Sequence, residues 1–355
     1  MGPFRIALAL PHLGVYGGIR RFLELGEVWT RRGHEVAIFI PRDREAARPW
    51  VPFSGAILSL AALPLGAWDA LISPDPELFL ACRAPGALRV YYSVLEGAPS
   101  EDRAARAADL VLANSAGMRR YLSRKGVRAL DAAGGVNVGW FRPPEPDPRA
   151  GGAPAGRGAC AGRAPVRALV YGRLSRRRKG TWVAARAIER ASAASGVPVT
   201  LTLFDSPPEG AGTPSFPRPL RIPHRWVLNP SQRDLADLYG KADLFVSAER
   251  RAGWSNTAAE AMACGAAVVC TRSGTEDFAI DGVTARVARW RWSWALSGAI
   301  EPLLRDPDRR RALAARGVAK IQEFSWQRTA DRIEQAFETR MGGGISGRNP
   351  SQAVR

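Results

Sequence analysis

Short apolar runs alternate with amphipathic segments twice along this chain, and a stretch with almost nothing to bury separates the two series. In the first series, "FRIALAL" (4–10) leads through the glycine-rich turn "PHLGVYGG" into "IRRFLELGEVWTRRG", whose apolar residues recur near helical spacing, and then into "HEVAIFI" (34–40). Strand, turn, helix and strand make a βαβ unit. Further strands are expected at "DALIS" (69–73), "RVYYSVL" (89–95) and "DLVLANS" (109–115), followed by a helix over 115–126 with Ser115 as N-cap and Gly126 at its end. Residues 143–165, "PPEPDPRAGGAPAGRGACAGRAP", are dominated by Pro, Gly and Ala and read as a linker.

The pattern then restarts. "VRALVYG" (166–172), "PVTLTLF" (198–204), "DLFVSAE" (243–249) and "AAVVCT" (266–271) read as strands, with helices over 179–196, 231–242 and the segment "SNTAAEAMACG". The segment 325–341 is a last amphipathic helix, and 342–355 is expected to be a disordered tail. This organisation predicts an α/β protein of two doubly wound domains with a cleft between them: 1–145, a linker over 146–165, and 166–324.

A length of 355 residues fits two domains, and contents of 46% hydrophobic and 24% charged residues are those of a globular protein. No apolar run reaches the roughly 18 residues needed to span a bilayer, and the N-terminus reads as a strand rather than a signal peptide. Cys82, Cys160, Cys264 and Cys270 lack metal-ligand or redox spacing and are read as reduced thiols of a cytoplasmic protein. Three scattered histidines leave little for a His-based metal site, and neither metal nor cofactor is expected.

The net charge of +18 favours anionic partners. Part of it is general Arg enrichment, and "RDPDRRRALAARG" (305–317) reads as a solvated helix face. The segment "RWRWSW" (289–294) admits three readings: helix packing, contact with an anionic membrane at the inner face, or nucleic-acid binding. Packing ranks first. Motifs of established nucleic-acid modules are missing, and no nucleic-acid partner is expected.

In open α/β sheets, ligands bind beyond the carboxyl ends of the strands, so the loops there are the places to look. The first carries Gly14, Gly17 and Gly18, spaced G-x-x-G-G rather than as a dinucleotide fingerprint. Either backbone amides approach a phosphate there, or the glycines merely permit tight strand–helix packing. The second is "YGRLSRRRKG" (171–180), where Arg173 follows a strand directly and Lys179 opens the next helix. A forked guanidinium and a point charge at a strand end suit a diphosphate; the alternative is a solvated basic loop. The third is "AGWSNTAAEAMACG" (252–265). Thr257 and Glu260 fit a helix capping box, and the same carboxylate would also suit the vicinal hydroxyls of a ribose.

Taken with "GVNVGWFRP" (135–143) and the run 252–282, these segments resemble the retaining glycosyltransferases of family 4, the glycosyl transferases group 1, across roughly 4–340. The resemblance implies a GT-B fold, with two doubly wound Rossmann-like domains facing each other across a cleft, an acceptor domain first and a nucleotide-sugar domain second. The last helix, 325–341, then packs back on the first domain. It implies that Arg173 and Lys179 hold the diphosphate, that Glu260 holds the ribose, that Ser255, Asn256 and Thr257 line the donor, and that Gly17 and Gly18 close over the phosphates. Donor neutralisation then rests on cations and helix ends, without a metal.

Three features depart from the family pattern. The position eight residues before Glu260, where the family carries a sugar-contacting Glu, is Ala252; Glu249 is the candidate replacement. The stretch "VYYSVLEG" has no His where many members carry one near the reacting sugar, and Tyr92 or Glu96 would line that space. The Arg-to-Lys spacing is one residue longer than the commoner form. The leading expectation is a hexosyl- or deoxyhexosyl-transferase acting on a nucleotide sugar and an acceptor that is a glycan, a lipid-linked glycan or a small metabolite. The alternatives are a GT-B epimerase and a basic protein that binds nucleic acid or an anionic surface.

Overall fold

The computed structural model describes residues 2–14, 17–41, 49–95, 97–145, 164–207, 212 and 214–342. The chain divides into two compact units, residues 1–135 with 324–355, and residues 136–323. Glu96, Cys160, the linker expected over 146–165 except Ala164 and Pro165, and the tail 343–355 lie outside the described residues.

The first unit is built on a seven-stranded parallel sheet: β1 (Arg5–Ala9), β2 (Glu35–Ile40), β3 (Ala56–Ser59), β4 (Ala70–Ser73), β5 (Leu88–Ser93), β6 (Leu110–Ala113) and β7 (Leu130–Asp131). The spatial order is β3-β2-β1-β4-β5-β6-β7. β1, β2, β4 and β6 are almost entirely apolar because helices cover both faces of a parallel sheet. The helices are α1 (Gly17–Arg31), α2 (Pro76–Ala81), α3 (Glu101–Ala107) and α4 (Ala116–Arg124), with Ser115 capping α4 through the Met118 amide at 3.0 Å.

The chain's last helix, Trp326–Gly342, belongs to this unit and packs on α1. Trp326, Ile333 and Phe337 join the buried cluster around β1 and α1, and Arg32 pairs with Glu334 at 2.9 Å and with Asp331 at 2.8 Å. Arg21, buried in α1, donates to the Tyr92 hydroxyl at 2.8 Å and lies 5.4 Å from the Trp326 ring centre.

The second unit repeats the architecture with six parallel strands: β8 (Val166–Tyr171), β9 (Val199–Asp205), β10 (His224–Leu228), β11 (Leu244–Ser247), β12 (Ala267–Thr271) and β13 (Arg286–Ala288), in the order β10-β9-β8-β11-β12-β13. Its helices are α5 (Thr181–Ser195), α6 (Gln232–Gly240), α7 (Asn256–Ala263), α8 (Ser293–Arg305) and α9 (Pro307–Ile321). The terminal helix of the first unit is α10. Ser231 and Asp234 form a reciprocal capping box on α6, and Asp306 caps α9 with Pro307 in its first turn. The basic run 305–317 presents Arg309, Arg311 and Arg316 outward while Leu313, Ala314 and Gly317 are buried, so it is a solvated helix face.

The boundary expected at 145 falls instead after Gly135. Residues 136–145 belong to the second unit because Phe141 packs edge-on against Tyr239 at 5.9 Å, Pro143 lies against Gly265, and Pro144 lies against Gly240. The packing reading of "RWRWSW" is also corrected. Trp290, Trp292 and Trp294 are exposed, and only the Arg291 side chain turns inward.

Candidate functional site

The strand order of the second sheet reverses between β8 and β11, whose chain neighbours lie on opposite sides. In open α/β sheets, ligands bind in the crevice outside the carboxyl ends of two such strands. The loop after β8 (172–180) and the loop after β11 (248–255) flank that point. They carry the residues singled out in the sequence.

Lys179, on a short 3-10 turn before α5, forms an ion pair with Glu249 and lies 5.4 Å from the Tyr171 ring centre. Burial pushes the Tyr171 hydroxyl up to about 12, against the opposing pull of the Arg173 charge, so the ring stays neutral beside the ammonium. Glu249 is buried, and its other carboxylate oxygen accepts from the Ser255 hydroxyl at 2.7 Å. Its backbone carbonyl accepts from the Thr271 hydroxyl at 2.5 Å.

Ser255 is the N-cap of α7, yet its hydroxyl goes to Glu249 and makes no side-chain cap. The positive end of α7 therefore stays uncapped by its own side chain next to the Lys179–Glu249 pair, with Asn256 and Thr257 half-buried in the first turn.

Arg173 is held further along the same loop. Its Nε donates to Asp205 at 2.7 Å, and its Nη2 donates to the Ser206 carbonyl. Asp205 ends β9 and Ser206 follows it, so the guanidinium is oriented by the neighbouring strand's end. Glu260 is not a helix cap. It lies inside α7, is buried, and accepts from the Tyr239 hydroxyl at 3.1 Å. The capping-box reading fails because α7 begins two residues earlier than that motif requires.

Two features fix the loops. Gly180 has φ +69°, and a Cβ there would come within 2.1 Å of the Ala248 carbonyl oxygen, so the Lys179 loop touches the strand that delivers Glu249. Arg291 donates through Nε to that same Ala248 carbonyl and through Nη2 to the Arg177 carbonyl, tying both loops together. Burial lowers the affinity of Arg291 for its proton, with the Arg250 charge acting in the same direction. Arg251, next to Ala252, holds φ +55°, which marks a strained turn in the same loop.

The structure thus brings Lys179, Glu249, Ser255, Asn256 and Thr257 together, with Arg173 on the Lys179 loop and Glu260 one turn into α7. Glu249, the candidate replacement for the sugar-contacting carboxylate, is engaged by Lys179 and by the Ser255 hydroxyl. In the first unit, Gly18 lies in the opening turn of α1 with nothing within 4 Å of an added Cβ, so packing does not demand glycine there. Tyr92 is corrected from a lining residue to a core residue. It is fully buried, packs edge-on against Phe22 at 5.5 Å, and gives its hydroxyl to the Ala132 carbonyl at 2.5 Å.

Asp205, Tyr239 and Arg291 were not singled out by sequence reasoning. Asp205 had a readable signal, a carboxylate directly ending an apolar strand; the other two meet the site only through the fold. Among the described residues, no group of three or more His, Cys, Asp or Glu is placed to hold a metal ion, and no helix is long and apolar enough to cross a membrane.

Comparison with known proteins follows the same lines. Residues 165–306 match the family model described as glycosyl transferases group 1. The D-inositol 3-phosphate glycosyltransferase of Segniliparus rotundus is 32% identical over 133 residues, which are 37% of this chain and 28% of that relative's length. Sucrose-phosphate synthase from Thermosynechococcus elongatus superposes with a TM-score of 0.73 at 19% identity, covering 96% of this chain and 100% of that one. HepE from Anabaena, solved in complex with UDP-glucose, superposes with a TM-score of 0.68 at 16% identity, covering 94% and 100%. The fold is GT-B. The GT-B likeness extends over both units, whereas the family-model match is confined to the second.

Proposed function

We propose that this GT-B chain is a retaining glycosyltransferase that moves a hexosyl or deoxyhexosyl group from a nucleoside diphosphate sugar to an acceptor hydroxyl. The observation that carries the reading is the pairing of Lys179 with Glu249 beside the N-terminus of α7, whose Ser255 hydroxyl turns to Glu249, at the strand-order reversal of the second sheet. A movable ammonium and a helix tip suit a departing diphosphate. The group 1 match over 165–306 and the UDP-glucose complex of a structural neighbour support the donor class.

In this mechanism the bond between the anomeric carbon and the diphosphate oxygen breaks, and its electron pair stays on the diphosphate. Lys179 turns from Glu249 to that oxygen, Arg173 supplies a second cation, and the first amides of α7, with Ser255, Asn256 and Thr257, hold the phosphates. The acceptor hydroxyl attacks from the face the diphosphate leaves, and its proton passes to the departing phosphate oxygen. Configuration is retained without a protein nucleophile, and cationic side chains take the role of a metal ion. Glu260 binds the ribose.

Calorimetry with UDP, GDP, ADP and dTDP, followed by turnover of the matching sugar donors with and without EDTA, tests this reading. Binding of one nucleoside diphosphate, acceptor-dependent release of it, and indifference to EDTA are expected. Failure of all four nucleotides to bind overturns the proposal; nucleotide release without an acceptor redirects it to hydrolysis.

A further inference from the structure

The exposed tryptophans have no role in the site described above. Trp290, Trp292 and Trp294 are 53%, 63% and 58% exposed, while water-facing rings of that size are costly to leave unpartnered. They occupy the turn that leaves β13 and the first turn of α8. Alternation keeps all three outward, while Arg291 between them turns in and fastens the turn to the carbonyls of Ala248 and Arg177. The rings are thus mounted on a tethered turn rather than on a loose loop.

The surroundings are cationic. The Arg289 guanidinium carbon lies 5.5 Å from the Trp290 ring centre. Arg177, whose carbonyl Arg291 holds, is exposed, as are Arg250 and Arg251. Arg250 is close enough for its charge to act on Arg291. Among the described residues, none of the side chains of Arg177, Arg250, Arg251 and Arg289 is in an ion pair, while Asp281, ahead of β13, pairs with Arg286 at 3.0 Å. Trp292 is the N-cap of α8 and provides no side-chain cap, so the positive end of a 13-residue helix opens on the same turn.

We propose that Trp290, Trp292 and Trp294, ringed by Arg177, Arg250, Arg251 and Arg289, dock the second unit on an anionic lipid bilayer. Indole rings partition to the headgroup boundary, where an apolar body and a polar N–H are both satisfied, and exposed guanidinium groups pair with lipid phosphates. Rings without cations would fit a neutral sugar platform, and cations without a cluster of rings would fit a phosphate backbone. This patch has both, and its rings protrude rather than line a groove. The loops bearing Lys179 and Glu249 are tied to the same turn through Arg291, so docking sets the candidate site beside the membrane surface.

Co-sedimentation of the full chain with phosphatidylcholine vesicles, with and without phosphatidylglycerol, tests this independently of any sugar transfer. Pelleting is expected with phosphatidylglycerol-containing vesicles alone, weakening as salt rises. Trp290→Ala, Trp292→Ala and Trp294→Ala combined should weaken binding by at least about tenfold. Arg289→Gln should weaken it about fivefold. Should the triple variant fail to fold, Trp292→Ala, at the most exposed ring, carries the test. Three results overturn the proposal: no pelleting with phosphatidylglycerol vesicles, equal pelleting with phosphatidylcholine alone, or a Trp292→Ala or triple variant that binds like the parent. Capture of single-stranded RNA or a soluble oligosaccharide by the same tryptophans without vesicle binding also overturns it.

Discussion

Lys179 and Glu249 form an ion pair across the strand-order reversal of the second sheet, between the loop after β8 and the loop after β11. Glu249 is nearly inaccessible, with a side chain 5% exposed, while Lys179 keeps 20%. The ammonium is therefore the partner able to leave. Removing it has two separable effects. Lys179→Ala strands a buried carboxylate, and urea unfolding should report a loss of about 3 kcal/mol. Lys179→Ala combined with Glu249→Ala should recover most of that stability, yet kcat should stay depressed by about 100-fold or more in both variants, as for removal of an oxyanion donor. A double variant with restored turnover would make the pair purely structural.

Two glycines separate packing from chemistry. Gly180→Ala would push a Cβ into the Ala248 carbonyl from a left-handed backbone, and a loss of at least about 2 kcal/mol is expected. Gly18→Ala meets open space within α1 and should instead stabilise the fold by about 0.5–1 kcal/mol. If Gly18 admits a phosphate, the more stable variant nevertheless binds donor more weakly. Thermal melts and donor titrations on the same samples compare the two effects, and unchanged donor affinity removes Gly18 from the site.

The strands and the helices with caps were legible because each is a local pattern. β1, β2, β8, β11 and β12 are apolar runs, and Ser115 and Ser231 announce α4 and α6. β3, β10 and β13 were not read because their burial is partial and their residues mixed. At the site, Arg173 and Lys179 were visible as cations at a strand end. Their carboxylate partners were not paired with them, since Asp205 and Glu249 are 32 and 70 residues away along the chain. Tyr92 was misread for the complementary reason. A tyrosine at a strand end looks like a lining residue until the fold lays Arg21 and the Ala132 carbonyl against it.

Cys264 and Cys270 give a stability signature in alkali. Burial pushes each thiol from 9.0 up to about 12. A raised folded value means that the folded chain keeps the proton longer than the unfolded chain does. The resulting stabilisation is complete below pH 9 and is lost between pH 9 and about 12, as unfolded thiols ionise while folded ones do not. Each thiol should add about 1.4 kcal/mol of lost stability per pH unit in that window. Urea midpoints measured across the window should fall less steeply in Cys270→Ala, and native protein at pH 8 should leave both thiols unlabelled by iodoacetamide. A Cys270→Ala slope equal to the parent's would show that the thiol is not shielded.

Glu260 offers the sharpest separation of a ligand role from a packing role, because the fold has given it a partner of its own in Tyr239. Glu260→Gln keeps the shape and can still accept that hydroxyl's hydrogen bond, so the fold should hold. What it loses is the charge that strengthens hydrogen bonds from sugar hydroxyls, each worth about 1.5–3 kcal/mol to a charged acceptor. With one such bond to the ribose, UDP affinity should fall about tenfold or more, while 2′,3′-dideoxy-UDP, which has no hydroxyls to offer, should bind the parent and Glu260→Gln alike. Tyr239→Phe supplies the control: it removes the neighbour's donor but leaves the carboxylate, so discrimination between UDP and the dideoxy analogue should persist. A parent protein that binds both nucleotides equally would assign the carboxylate to packing against Tyr239, since a ribose contact cannot survive the loss of the hydroxyls that make it.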